Sequence, residues 1–179
     1  MNPQRLEVDL DRPYPVSGET IGAIRDSAVV EVAEPQLRLG SMARANGEEI
    51  ELQLQVLALD SPVWAPHITK GEADRGRAGI YLSELAARDL GVAPGAMVTV
   101  RHPRLEAGGT IALVESELEV LGLHPHPFRF VAYVDSNHAG LFNLEGAANL
   151  VAVVPREGVT RAEVKRALFS LPGVASAQG

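Results

Sequence analysis

The sequence of 179 residues contains no cysteine, only two lysines, and no long apolar run. Without cysteine there is no thiolate-ligated zinc site, no thiol nucleophile and no redox dithiol. Neither Lys70 nor Lys165 stands among apolar neighbours that would lower an amine pKa for catalysis. No segment approaches the ~18 apolar residues of a membrane-spanning helix, and residues 1–5 lack the apolar stretch of a signal peptide. The sequence therefore predicts a soluble chain, which can be a fragment of a larger protein.

The charge balance and the missing motifs exclude further classes. Sixteen basic residues against 23 acidic ones give a net charge of −7, which argues against a nucleic-acid-binding face and against electrostatic docking on anionic lipid. The nucleophile elbow, the Walker A loop, the dinucleotide-binding glycine motif and the zincin helix motif are all absent from the sequence. These absences favour a binding or mechanical domain over an enzyme, and no cofactor is expected.

Both ends of the chain carry the same predicted pattern of strand, helix and strand. The alternation Leu6-Glu7-Val8-Asp9-Leu10 indicates a half-buried strand. Ser17 is the expected N-cap of the first helix, and Thr160 with Glu163 forms the capping box of the second. Two such units predict an α+β fold, a split β-α-β sheet with both helices on one face. The predicted strands are 6–10, 29–34, 149–154 and 173–177, and the predicted helices are 17–27 and 160–170.

The middle of the chain is predicted to be rich in short strands. Asn46-Gly47 is a strong turn signal within a hairpin at 36–59. Between Asp60 and Arg77, prolines and glycines indicate a long exposed loop. Short alternating segments, expected to form an antiparallel β region, follow this loop. One helix is predicted near 83–90, with Ser83 as its N-cap and Gly91 at its C-terminal stop. The predicted division is a porter-like subdomain of residues 1–60 and 146–179, a connecting loop of 61–77, and an inserted β-rich subdomain of 78–145.

Two clusters of polar residues raise the question of chemistry. His124-Pro125-His126 would place two imidazoles on one side of a strand, as metal ligands require, but no acidic residue lies nearby in sequence. Asp135-Ser136-Asn137-His138 contains an acid, a hydroxyl and an imidazole, yet these residue types also select turns for their own hydrogen bonds. We predict solvated histidines in the first cluster, a turn in the second, and neither catalytic nor metal-binding residues.

The only tryptophan, Trp64, lies between Pro62 and Pro66 in the loop 61–77. A single tryptophan in a long loop either fills a small satellite core or contacts a partner. The sequence leaves both interpretations open. Trp64 is therefore the candidate partner-contact residue.

Three stretches resemble the extracytoplasmic domains of FtsX/MacB-type ABC-transporter permeases, the group that includes the lipoprotein-releasing permeases. The first runs from Gly79 through Leu90-Gly91-Val92-Ala93-Pro94-Gly95 to Val100, although Ala96 stands where the family often has an acidic residue. The second is the helix at 164–168 followed by Leu171-Pro172-Gly173-Val174. The third is residues 27–39 with the hairpin to Leu59. Together, their order and spacing cover nearly the whole chain.

The resemblance implies a porter-like α/β part made from both chain ends, joined to an inserted β-rich part. It implies a position between the first two membrane helices, on the extracytoplasmic side of the cell membrane. A cytoplasmic ATPase subunit would move these helices, and the domain would transmit that motion while hydrolysing nothing itself. Further partners implied are a second permease copy, a periplasmic protein, or an exported lipid, lipoprotein or peptide.

Two alternatives stay open from the sequence. Residues 90–100 also resemble the start of a strand in double-psi barrels, some of which bind substrates or partners for cytosolic ATPases. A small hydrolase using His138 or the pair His124 and His126 is the other alternative. The barrel predicts no pairing between the chain ends, whereas the permease predicts adjacent ends, and the hydrolase predicts a buried, perturbed histidine.

Overall fold

The computed structural model describes residues 5–178, which form two compact units. Unit 1 holds the described residues up to Leu37 and from Gly146 onward, and unit 2 is Arg38–Glu145. The elements in chain order are β1 (Leu6–Pro15), α1 (Glu19–Arg25), β2 (Val30–Ala45), β3 (Glu48–Leu57), β4 (Lys70–Gly71), β5 (Ile80–Ser83), α2 (Glu84–Leu90), β6 (Met97–Leu105), β7 (Ile111–His124), β8 (Val131–Asp135), a kinked 3-10 segment (Ser136–Phe142), β9 (Ala147–Pro155), α3 (Arg161–Phe169) and β10 (Val174–Gln178).

Unit 1 is an antiparallel sheet with two helices. Its strand order is β10-β1-β9-β2, to which β2 contributes its first half. The sheet therefore joins the two ends of the chain, and Glu7 of β1 pairs with Gln178 of β10. Both helices bury apolar side chains in the same core as the strands, because α1 contributes Ile21 and Ile24 while α3 contributes Val164 and Leu168. The predicted strands and helices of the chain ends all form.

The helix caps of unit 1 agree with the sequence at one helix and differ at the other. The Thr160 side chain accepts a hydrogen bond from the Glu163 amide, and the Glu163 side chain reaches back to the Thr160 amide, as the capping box predicts. The N-cap of α1 is Gly18, which has no side-chain cap, so the prediction of Ser17 as N-cap is wrong. The helix begins one residue later than a Ser17 cap would require.

Unit 2 is a closed β-barrel of six strands. The ring runs β2-β3-β8-β5-β7-β6, and β6 closes it by pairing with the second half of β2. Alternate side chains fill its interior, as in β6, where Val98 and Val100 are buried while Met97 and Arg101 are exposed. Short barrels of this size are packed with side chains and leave no channel.

Closure of the barrel changes two expectations from the sequence. The predicted division places the hairpin 36–59 with the chain ends, but its residues from Arg38 belong to unit 2, where they form β3 and the second half of β2. The β-rich region is not purely antiparallel, because β3 pairs with β8 and β5 pairs with β7 in parallel. These pairings join segments far apart in sequence, which local alternation cannot reveal.

Local signals in unit 2 are confirmed. Asn46 and Gly47 both have positive φ, 53° and 78°, in the turn between β2 and β3. The Ser83 hydroxyl caps α2 by accepting a hydrogen bond of 3.0 Å from the Ala86 amide. Gly91 ends α2 in the left-handed conformation, with φ 68°. No helix within residues 5–178 is long and apolar enough to cross a membrane.

Candidate partner-binding surface

The segment 60–77 is attached to the barrel for part of its length. Its residues Lys70 and Gly71 form β4, which pairs with Leu123 and Gly122 of β7. A side chain at Gly71 would overlap the carbonyl oxygen of Leu121, and φ at this position is +74°. Glycine is therefore required where the segment meets the barrel. Lys70 and Gly71 are exposed, as predicted, but they form a paired strand where the prediction has a loop.

Trp64 is half-buried and packs on the barrel. Its ring lies 5.9 Å from that of Tyr133, centroid to centroid, at an interplanar angle of 51°. Trp64 and Ile68 cover a cluster of buried residues that includes Leu59, Tyr81 and Tyr133. The indole thus packs on a small satellite core, as the first interpretation from the sequence predicts. Part of its surface stays in solvent, so the contact with a partner stays a prediction.

A groove of 320 Å³ lies beside the indole, and we call it the Trp64 groove. Every lining residue except Ala65 carries an aromatic, imidazole or proline ring. The lining residues are Trp64, Ala65, Pro66, His67, His124, Pro125, His126, Pro127 and Tyr133. The rings are rigid, so little side-chain entropy would be lost when a partner covers them.

His124 is buried and is not a solvated loop residue, so that prediction is wrong for this ring. Its Nε2–H donates to the carbonyl oxygen of Val131 at 2.9 Å, and its Nδ1 accepts the His126 amide at 3.3 Å. Burial lowers the pKa of His124 from 6.5 to about 4. Because both ring nitrogens are engaged, His124 acts as a neutral structural group.

The segment after His124 presents two exposed aromatic rings. Phe128 and Phe130 are stacked, with centroids 5.5 Å apart and an interplanar angle of 7°, and they are 58% and 42% exposed. Arg129, between them in sequence, forms an ion pair of 2.7 Å with Asp89. Exposed phenylalanines next to an arginine have the composition typical of protein interfaces.

The second polar cluster is a structural network. Asp135 is 1% exposed, and its Oδ1 accepts hydrogen bonds from the Leu59 amide at 3.0 Å and from Arg75 Nε at 2.8 Å. Its Oδ2 accepts the Asn137 amide at 2.8 Å and caps the 3-10 segment. The hydrogen bond with Asp135 also raises the pKa of Arg75 above its ordinary value. The carboxylate therefore fastens the segment 60–77 to the end of β8.

Asp135, Ser136 and His138 do not form a catalytic arrangement. His138 Nε2 donates to the Arg75 carbonyl oxygen at 2.9 Å, and the Ser136 hydroxyl accepts from Arg75 Nη2 at 3.3 Å. Within residues 5–178, no hydrogen bond joins these three side chains to one another. Over the same range, no group of three or more histidines and carboxylates is arranged to hold a metal ion.

Two important side chains, Arg75 and His102, are not among the residues that the sequence analysis singles out. Arg75 holds Asp60 at 2.9 Å as well as Asp135, and it is the centre of the network. His102 is fully buried in the barrel, where Nδ1–H donates to the Pro103 carbonyl and Nε2 accepts from the Ser116 hydroxyl at 2.7 Å. An arginine among glycines carries no sequence signal, whereas the alternation around His102 on β6 could have placed it inside.

Comparison with known proteins identifies the fold. No family model and no curated protein matches the sequence. The periplasmic region of MacB from Actinobacillus actinomycetemcomitans is 9% identical, with a TM-score of 0.56 over 94% of this chain and 82% of that one. The extracellular domain of the noncanonic ABC-type transporter YknZ from Gram-positive bacteria is 14% identical, with a TM-score of 0.58 over 97% of this chain and 98% of that one. The chain thus has the fold of the extracytoplasmic domains of FtsX/MacB-type ABC transporters, as the resemblance in its sequence predicts.

Proposed function

We propose that this chain is the extracytoplasmic domain of an ABC-transporter permease and couples ATP-driven movement of membrane helices to the handling of a substrate or partner. The observation that carries the proposal is the pairing of β1 with β10, which sets Glu7 opposite Gln178. Two membrane helices attached at these positions would enter the bilayer side by side. The same pairing is the opposite of what the double-psi-barrel alternative predicts.

Unit 1 is then the porter-like part of the domain, a split β-α-β unit built from both chain ends. The strand order β10-β1-β9-β2 and the shared core of α1 and α3 support this assignment. An ATPase subunit on the other side of the membrane would act through the membrane helices, and the domain itself would perform no chemistry. His124 is buried and perturbed, as the hydrolase alternative predicts, but both of its ring nitrogens are engaged with backbone groups. That engagement and the structural role of Asp135 favour the non-enzymatic function.

We further propose that Trp64 and the Trp64 groove form the contact with the partner. Trp64 keeps a partly exposed indole on a rigid support, and the groove beside it is lined by rings. Tryptophan is among the residues that contribute most to binding free energy at interfaces. The stacked pair Phe128 and Phe130 would extend this surface.

The coupling proposal can be tested in the complete permease with its ATPase, reconstituted in nanodiscs. The 179 residues contain no cysteine, so once any cysteine elsewhere in the permease is replaced, Ser61→Cys and Glu157→Cys place one spin label on each unit. We expect the distance distribution between the labels to change when ATP is trapped, and not to change when the ATPase carries an inactivating substitution of its catalytic glutamate. Identical distributions in every nucleotide state would contradict coupling.

The contact proposal is tested by complementation of a strain that lacks the permease. We expect Trp64→Ala to abolish complementation and Trp64→Phe to retain part of it, because an aromatic ring still fills the site. Phe169→Ala is the matched control, since Phe169 is a 59% exposed aromatic residue in unit 1. Full complementation by Trp64→Ala at normal protein levels would remove Trp64 from the contact.

A further inference from the structure

A second groove in unit 2, of 610 Å³, lies between helix α2 and the segment at Pro125–Pro127, and we call it the Lys70 groove. Its apolar lining includes Leu85 of α2, Val92 and Pro94 after the helix, and Leu123 of β7. Sites for small molecules have this composition, a mostly apolar lining with a few polar groups, and volumes of roughly 300–1,000 Å³.

The charged groups of the Lys70 groove are two cations and one carboxylate. Lys70 lies on β4 and Arg88 in the last turn of α2, and both line the groove with exposed side chains. Neither side chain forms an ion pair with any residue in the range 5–178. Glu84 is the one acid in the lining, and its Oε2 accepts a hydrogen bond of 2.9 Å from the Thr69 hydroxyl.

Asp89, the residue after Arg88, is paired outside the lining. Arg129 and Asp89 form their own ion pair at 2.7 Å, so neither is free to neutralise the groove. The groove therefore carries a local excess of positive charge in a chain whose net charge is −7. The groove thus combines this positive charge with an apolar lining, which is complementary to a ligand that has both an anionic and an apolar part.

His126 adds a hydrogen-bond donor to the lining. Its Nδ1 accepts the Phe128 amide at 3.1 Å, so a neutral His126 ring carries its hydrogen on Nε2. With Nδ1 occupied in this way, the ring has an Nε2–H donor and no further acceptor. All the polar groups of the lining except Glu84 thus favour an anion.

We infer that the Lys70 groove binds an amphipathic anion, a molecule that carries a carboxylate or phosphate on an apolar body. Lys70 and Arg88 bind the anionic head, and the apolar lining formed by Leu85, Val92, Pro94 and Leu123 covers the body. The inference goes beyond the coupling function, because it assigns a ligand class to unit 2 and is tested on the chain alone.

The probes are octanoate and octyl phosphate, each titrated into the 179-residue chain below its micelle concentration. Octyl glucoside and octyltrimethylammonium are the neutral and cationic controls with the same tail, and acetate and inorganic phosphate are the heads without a tail. We expect at least one octyl anion to bind and the four controls to bind at least tenfold more weakly. The expected amide shifts in NMR spectra lie at residues 84–94 and 123–127. The stronger of the two octyl anions identifies the head group.

Charge variants with matched controls locate the site. Lys70→Gln and Arg88→Gln should each weaken binding about three- to fivefold, as expected for one partly solvated charge contact. Lys165→Gln is the control for the lysine, and Arg25→Gln, in the last turn of the equally short helix α1, is the control for the arginine. Glu84→Gln should tighten binding about twofold, a gain that loss of structure cannot produce.

Four results would overturn the inference. They are equal binding of octyl glucoside, weakening by the control variants as large as that by Lys70→Gln and Arg88→Gln, amide shifts outside the groove, or no binding of either octyl anion. The coupling proposal would stand in each case, because it rests on nucleotide-dependent distances in the complete permease.

Discussion

Arg75 donates a hydrogen bond of 2.8 Å from its Nε to the buried Oδ1 of Asp135, which lies 60 residues later in the chain. The Asp135 carboxylate also accepts two backbone amides, from Leu59 and Asn137. One side chain thus holds together the end of β3, the segment 60–77 and the end of β8. Removal of the cation would leave a buried carboxylate with fewer donors.

We predict that Arg75→Gln lowers the free energy of unfolding by about 2 kcal/mol, since a hydrogen bond to a charged group is worth roughly 1.5–3 kcal/mol. Arg77→Gln is the matched control, because the Arg77–Glu119 pair has an arginine side chain that is 55% exposed, and exposed pairs contribute about 0–1 kcal/mol. Urea unfolding of both variants measures the difference. Equal losses would show that Arg75 does not fasten the segment.

The stability of unit 2 should depend on the protonation of His124. Burial lowers the pKa of this ring from 6.5 to about 4 in the folded protein. Between pH 6.5 and about 4, the His124 ring is protonated in the unfolded chain but neutral in the folded protein. The free energy of unfolding therefore falls as the pH decreases from 6.5 toward 4. The full loss attributable to this ring is on the order of 3 kcal/mol.

The measurement is urea unfolding of the wild type and of His124→Gln at several pH values. The variant is expected to be less stable at pH 7 but to lose less stability on acidification than the wild type does. His67→Gln, which changes an exposed ring, should keep the slope of the wild type. A slope that is the same in all three proteins would contradict a lowered pKa at His124.

Gly71 should be much less tolerant of a side chain than another glycine with a similar backbone. Both Gly71 and Gly108 have positive φ, +74° and +88°, but only Gly71 is pressed against the backbone of Leu121 and Gly122. Gly108→Ala should cost about 1 kcal/mol from backbone strain alone. Gly71→Ala should cost at least about 2 kcal/mol, because clash adds to strain. Thermal unfolding of the two variants compares them, and equal costs would refute close packing of β4.

The fluorescence of Trp64 should be quenched to a degree between that of a buried and that of a fully exposed indole, because the side chain is half-buried against Tyr133. As the only tryptophan, it can be observed directly, and acrylamide should quench its fluorescence partly in the folded chain. Trp64→Ala should cost about 1–2 kcal/mol, less than the ~3–5 kcal/mol of a fully buried ring. Phe169→Ala should cost under about 0.5 kcal/mol. Complete protection from acrylamide would mean that Trp64 is a structural residue only.

The parts of the fold that the sequence predicts are those decided by neighbouring residues. The hydroxyl of Ser83 with Gly91, the turn at Asn46-Gly47 and the capping box at Thr160 each act over a few residues, and all three form. The closure of the barrel by β2 and β6 depends on contacts between distant strands. Alternation indicates that a strand has one buried face, but it does not say which strand lies beside it.

The candidate surface was predictable to a similar degree. Trp64 stands out in composition, and the prolines around it indicate a loop, so the segment could be chosen from sequence alone. The attachment of this segment to the barrel could not be predicted from the sequence, because Arg75 and Asp135 come into contact only in the folded chain. The burial of His124 was also missed, since Pro125 and His126 give the segment the appearance of a solvated turn while the ring itself points into the barrel wall beside Tyr133.

The antiparallel pairing of β1 with β10 has a consequence for the topology of the chain itself. With Glu7 opposite Gln178, a short linker could join the two ends, and new ends could be opened at the hairpin turn of Gly108 and Gly109, where both residues have open space around them. Such a circular permutant would keep every strand pairing and change only the sequence separation between paired strands. Its folding rate would therefore isolate the contribution of chain connectivity from that of the native contacts.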